Sequence, residues 1–186
     1  MAVVSEQEPT LRADDPRLEA WRAFLSAHAR LSRRLDDELR SEHDLSLPEY
    51  DALLQLAQAP DRRLRMSRLA NLVLLSKSGV TRLIDRLEAD GFVERTQCLS
   101  DARGAEAVLT PAGLTHLRTA AGTHLAGIER YFVAALQGDD FAAIERTMGA
   151  ISRLAGGDGE LDAGFRAAGP EEPAPVADGR TLAAAR

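Results

Sequence analysis

A stripe of mainly apolar positions opens the chain, running through Leu18, Trp21, Leu25, His28, Ser32, Leu35 and Leu39 in alternating steps of three and four. That spacing predicts a long helix made to lie along another helix. Asp15 followed by Pro16 marks its start, a cap and then a proline at the first helical position. A second helix is predicted from Ser46, where Ser46 and Glu49 suit a capping box, and it carries Tyr50, Leu53, Leu54 and Leu56 to a stop near Pro60. After a short stretch at 64–66, Ser67 is placed as the cap of a third helix bearing Leu69, Ala70 and Val73. A turn at Leu74 and Leu75 follows, and Ser76 caps a fourth helix. Val80, Leu83, Ile84 and Leu87 give that helix one apolar face. Lys77, Ser78, Thr81, Arg82 and Asp85 occupy the other.

Asp90 and Gly91 supply a helix stop, because glycine enters the left-handed region without a steric penalty. Residues 92–98 are then predicted as a strand, 99–104 as a turn rich in Ser, Asp, Arg and Gly, and 105–109 as the returning strand. Thr110 and Pro111 open another helix. Its stripe runs Leu114, Leu117, Ala121, His124, Ile128, Tyr131 and Ala135, and a last helix after Gly138 carries Phe141, Ile144, Met148, Ile151 and Leu154. Beyond 156 the chain is mostly Gly, Ala, Pro and acid, too poor in apolar bulk to offset the entropy of ordering, and a disordered tail is expected over 156–186. The fold expected is mainly α with a small β-hairpin wing, two helices joined by a tight turn being the plan of a helix-turn-helix.

Charge sharpens the picture. From Arg62 to Leu87 there are seven basic residues against the single acid Asp85, a local +6 that leaves −12 on the rest of a chain of net charge −6. A basic island in an acidic protein points to an anionic partner for that island. Aromatic residues are scarce at 4%, so Leu, Ala, Val and Ile must do the packing, which favours helices. Cys98 is the lone cysteine, which excludes an internal disulfide and suits a reducing cytoplasm. MAVVSEQEPT carries acids where a secretory signal has bases and an apolar run, so no export is expected. No stretch approaches the roughly 20 apolar residues of a membrane helix.

The residues at 45–113 resemble the MarR-type winged helix-turn-helix transcription regulators. LSLPEYDALLQLA is similar to that family's second helix, MSRLANLVLLSKSGVTRLIDRLEADGFVER to its helix-turn-helix, and SDARGAEAVLTPAG to its wing and fifth helix. The resemblance implies a cytoplasmic homodimer in which helices at about 15–45 and 111–155 make the dimerisation region and 46–110 the winged lobe. Residues 15–155 would be a single domain behind a flexible stretch at 1–14. It implies a DNA-binding repressor or activator whose affinity changes when a small ligand, a metal or an oxidant is sensed. A repressor on an inverted-repeat operator is expected, released by a small effector, with aromatic compounds among the candidates. Two departures stand out. Leu74 occupies the place where the helix-turn-helix often has glycine, which would shape the turn differently. The wing sequence Asp101, Arg103, Gly104, Glu106 keeps the family's first Asp and Arg and replaces the second Arg by an acid.

Candidate DNA-binding residues are Ser67, Ser76, Lys77, Ser78, Thr81, Arg82, Asp101 and Arg103. Lys77, Ser78, Thr81 and Arg82 open the recognition helix, where side chains enter a major groove about 12 Å wide. Ser67 and Ser76 sit where helix N-termini favour phosphate. Arg103 suits a narrow minor groove, with Asp101 orienting an arginine, while Arg86 and Arg95 are expected to brace helix and hairpin. Gly79 lowers helix stability by about 1 kcal/mol relative to Ala, for which DNA approach and helix packing are both explanations. Trp21, His28, Tyr50 and His124 fall, by the resemblance, on helices lining an effector cleft, and rings with polar edges suit one. Glu42, His43 and His116 are too scattered for zinc, and no metal or cofactor is expected. No Ser-His-acid or Cys-His arrangement, phosphate loop or carboxylate pair stands out, so no enzyme is expected. The rival to a DNA reader is a winged helix that serves as a protein-interaction module.

Overall fold

The computed structural model of the protein describes residues 11–98 and 101–155, with backbone alone at 98 and 101–104. The tail at 156–186 and most of the stretch at 1–14 lie outside the described residues. Six helices and three strands follow in order: α1 (Arg17–His43), α2 (Leu47–Gln58), β1 (Arg63–Arg65), α3 (Met66–Leu72), α4 (Lys77–Ala89), β2 (Val93–Cys98), β3 (Asp101–Leu109), α5 (Pro111–Tyr131) and α6 (Asp140–Ala155). None of these helices is long and apolar enough to cross a membrane.

Local signals account for most of the boundaries. Ser46 accepts the Glu49 amide while Glu49 Oε2 accepts the Ser46 amide at 2.8 Å, closing the capping box of α2. Thr110 accepts the Gly113 amide and opens α5. At the head of α1 the assigned cap is Pro16, one residue later than expected, although Asp15 Oδ1 still accepts the Arg17 amide at 2.8 Å. The stripe of α5 was expected to reach Ala135, yet the helix stops at Tyr131 and Val133–Ala135 forms a single tighter turn.

Strand β1 is an element that the sequence pattern does not reveal. Arg63, Leu64 and Arg65 pair antiparallel with Val108, Ala107 and Glu106, so the expected hairpin is part of a three-stranded sheet of order β1-β3-β2. Strand β3 also starts at Asp101, earlier than the expected 105, and an irregularity falls between Gln97 and Cys98.

The core lies in the winged lobe and the adjoining halves of α1 and α5. Leu39, Leu45, Tyr50, Leu53, Leu56, Leu64, Leu69, Leu83, Ile84, Leu87, Val93 and Leu117 are buried in one cluster. The remainder of the helical region is bare. Residues 21–30 of α1 are all exposed and α6 buries nothing. Trp21, Phe24 and Leu25 on α1, and Phe141, Ile151 and Leu154 on α6, therefore face outward.

Candidate nucleic-acid interface

The recognition helix is built as its spacing predicts. Val80, Leu83, Ile84 and Leu87 are buried, while Lys77, Ser78, Thr81, Arg82 and Asp85 are exposed. Ser76 Oγ accepts the Gly79 amide at 3.1 Å, so its hydroxyl serves the helix cap. Ser78 Oγ lies 3.2 Å from Ser76 Oγ, and the Thr81 hydroxyl donates to Lys77 O at 2.9 Å. Both hydroxyl oxygens stay on the solvent side and keep lone pairs to offer. Among the described residues no ion pair neutralises Arg68, Lys77 or Arg82.

Other members of the basic island are tied down. Arg86 Nε meets Glu49 Oε1 at 2.7 Å, and Glu49 is itself buried, so this pair fastens α4 to α2. Arg63 Nη1 lies 3.7 Å from Glu106 Oε2, the acid that stands where the resemblance leads one to expect a second wing arginine. Arg95 reaches from β2 to α4, with Asp85 at 2.5 Å, Glu88 at 3.2 Å and the Thr81 carbonyl at 2.9 Å. Arg86 and Arg95 are braces, as their positions suggested.

Ser67 departs from its expected role. Helix α3 starts at Met66 with Arg65 at the cap position and no side-chain cap, which puts Ser67 inside the first turn. At Gly79 a Cβ would sit 3.2 Å from the capping Ser76 Oγ, a tight contact, and at an ordinary 3.5 Å from Leu75 Cβ. Asp101 and Arg103 lie on β3, and their side chains are outside the described residues.

The turn keeps its shape without glycine. Leu74 takes φ 54°, the Leu74 amide donates to Asn71 O at 3.3 Å and the Leu75 amide to Ala70 O at 2.9 Å. These two bonds are the Schellman ending of a helix, which normally places glycine at the left-handed position. Helix α4 ends by the same motif with Gly91 at φ 74°, its amide donating to Glu88 O at 3.0 Å and that of Phe92 to Leu87 O at 2.8 Å. Leucine in this conformation costs about 1–2 kcal/mol.

The four candidate effector residues fall into two separate groups. Tyr50 and His124 meet with ring centroids 4.3 Å apart at the junction of α2 and α5. Burial depresses the His124 pKa and raises that of Tyr50, and His124 Nδ1 is buried without a hydrogen-bond partner. Trp21 and His28 instead flank Phe24 on the bare part of α1, with ring separations of 5.9 and 6.3 Å. Asp51, next to Tyr50, is a group the sequence did not flag, and burial raises its carboxyl to about 6. No linear pattern marks a half-buried acid whose surroundings come from other helices.

The thinly spread histidines form contacts of another kind. The Thr123 hydroxyl donates to Glu42 Oε2 at 2.7 Å and accepts from His43 Nε2 at 2.8 Å. His116 stacks on Phe92 at 4.3 Å beside a groove of about 510 Å³ lined by Phe92, Pro111, Ala112, Thr115, His116 and Thr119. Among the described residues no three His, Cys, Asp or Glu side chains are placed to hold a metal ion.

Two helices joined by a left-handed turn, followed by an antiparallel wing, make the chain a winged helix-turn-helix protein. Residues 43–104 match the model of the MarR family. AbsC, a MarR family transcriptional regulator from Streptomyces coelicolor, is 32% identical over 78% of this chain and 98% of its own, with a TM-score of 0.73. Sco3205 from the same organism, a MarR family transcriptional regulator whose structure was solved in complex with DNA, is 29% identical over 80% of this chain and 95% of its own, also at 0.73. A mutant E. coli MarR complexed with operator DNA shares the fold at 20% identity, covering 76% of this chain and 99% of its own, with a TM-score of 0.66. No curated protein matches the chain. The protein belongs to the MarR family of transcriptional regulators.

Proposed function

We propose that the protein binds double-stranded DNA as a homodimer and represses transcription from an inverted-repeat operator until a small effector releases it. The observation that carries this reading is the solvent face of α4, where Lys77 and Arg82 are exposed, unpaired among the described residues and flanked by the hydroxyls of Ser78 and Thr81. Two such helices about 34 Å apart meet successive major grooves. Ser76 and Ser67 lie close to the phosphates in this reading, and Arg103, oriented by Asp101, enters the flanking minor groove.

The bare apolar positions on α1 and α6 support the dimer. Regions 15–45 and 111–155 are its helical frame, 46–110 the winged lobe, and together they make one domain at 15–155. Tyr50 and His124 form one candidate effector contact, and Trp21 and His28 a second that depends on the partner subunit. A ligand wedged at the α2–α5 junction changes the spacing of the two lobes, which lowers DNA affinity. The fold and its contacts suit a cytoplasmic regulator with no catalytic role.

The test is fluorescence anisotropy on duplexes tiled across the protein's own upstream region, repeated at several salt concentrations. Wild type should prefer one inverted repeat, with affinity falling steeply as salt rises. Arg82→Ala and Lys77→Ala should each weaken binding and flatten the salt slope by about one. A wild-type protein that treats every duplex alike at modest ionic strength overturns the reading.

A further inference from the structure

The turn between α3 and α4 contains a residue whose backbone and side chain both sit unfavourably for the isolated chain. Leu74 holds a positive φ of 54° that glycine would adopt freely. Its side chain is 76% exposed, while its neighbours Leu72, Val73 and Leu75 pack against the core. Gly91 closes α4 with the same pair of backbone hydrogen bonds, so the motif itself makes no demand for leucine. The residue therefore contributes nothing to its own lobe that glycine would not supply better. It lies two residues before Ser76, the cap of the recognition helix, and three before the exposed cation Lys77.

We propose that Leu74 is a DNA-contact residue, an apolar side chain held out by the left-handed turn to seat on deoxyribose carbons at the edge of the major groove that α4 enters. This rests on the DNA-binding reading above. Charge complementarity selects the occupant. Arg68, Lys77 and Arg82 lie on the two helices that the turn joins and carry no ion pair among the described residues, so an anionic backbone is drawn to this end of the lobe. Sugar carbons between phosphates are the apolar surface that such a backbone presents. The contact adds affinity and releases no counterion, which separates it from the arginines.

The experiment measures stability and DNA affinity on the same variants. Leu74→Gly removes the side chain and relieves the backbone, Leu74→Asn removes it while tolerating the left-handed φ, and Leu74→Met keeps an apolar chain. The melting temperature of Leu74→Gly should rise by a few degrees. Affinity for the preferred duplex should fall about tenfold in both Leu74→Gly and Leu74→Asn and stay within about twofold in Leu74→Met. The slope of affinity against salt should match wild type in all three, whereas Arg82→Ala flattens it. If wild type binds its duplex and the Gly and Asn variants bind it equally well, this inference fails and the DNA-binding reading stands. A flattened slope in Leu74→Asn would also overturn it, since the turn would then be setting the cations. If wild type recognises no duplex, the failure lies in the reading beneath, and a Leu74→Asn protein that loses a protein partner instead would assign the side chain to that partner.

Discussion

Replacing Gly113 by alanine sets two opposite effects against each other within one helix. Gly113 is in the first turn of α5, where a Cβ would fall 2.1 Å from the Phe92 carbonyl oxygen and 2.9 Å from Leu109 Cδ1. Ordinary contact between carbon and oxygen needs over ~3 Å, so backbone must move by about 1 Å. The same oxygen accepts the Thr110 amide at 3.1 Å and lies 3.1 Å from the Thr110 hydroxyl, which shares its hydrogen with Gly91 O at 2.8 Å and in turn accepts the Gly113 amide at 3.0 Å. Displacement strains a helix cap and two hydrogen bonds worth about 1 kcal/mol each, on top of overpacking at about 1–3 kcal/mol. Alanine returns about 1 kcal/mol through its better helix propensity. The net expectation is a loss of about 2–4 kcal/mol, or a fall in melting temperature on the order of 10 °C for a domain of this size. Gly122→Ala supplies the control on the same helix, since nothing lies within 4 Å of the position its new methyl group would take, and it should gain up to about 1 kcal/mol. Urea unfolding at one fixed protein concentration measures both. A Gly113→Ala protein as stable as wild type would refute the steric argument.

Three further outcomes are expected. Burial raises the Asp51 carboxyl to about 6 from 3.8, so the folded state holds its proton more tightly than the unfolded chain. Its contribution to stability is complete below about pH 3.8 and is lost as pH rises through about 6; Asp51→Asn should therefore stabilise by about 1–3 kcal/mol at about pH 7.5 and by nothing near about pH 3.5, read from denaturant midpoints across pH. Glu49 is buried and serves both Ser46 and Arg86, so Glu49→Ala should lose about 2–4 kcal/mol in the same assay, and Arg86→Ala, which strands the buried carboxylate, should lose a comparable amount. Leu25→Glu places a charge on the bare face of α1 and should shift sedimentation toward the monomer, while equal mass distributions for variant and wild type would argue against that face as the dimer seam.

The recognition helix was legible because its signal is short-range: four apolar residues at helical spacing, a serine cap before them and a glycine after. Arg86 and Arg95 were also legible, since a cation on a helix edge or the following strand has few places to reach. Strand β1 was not, because three residues carry too little periodicity and their pairing partners at 106–108 are more than 40 positions away. Ser67 misled by composition: a good capping residue lies two positions past the actual cap of α3, Arg65. The turn misled in the opposite way. A glycine rule suggested altered geometry at Leu74, but the hydrogen bonds to Asn71 and Ala70 hold the same motif against the intrinsic preference of leucine. The split of the aromatic candidates, Tyr50 with His124 and Trp21 with His28, depends on where α1 runs past the core, which spacing within one helix does not encode.

The guanidinium of Arg95 spans the recognition helix and the first strand of the hairpin, held by two carboxylates and a main-chain carbonyl. The helix and the hairpin, which the proposed function sets against groove and backbone, are thus latched into one unit. On the reading proposed above, a signal from the long helices would act by tilting helix and hairpin together, as a wrist turns a hand. Weakening the latch would loosen the registry between helix and hairpin, while the pairing with β1 and the buried Val93 would still keep the hairpin on the lobe.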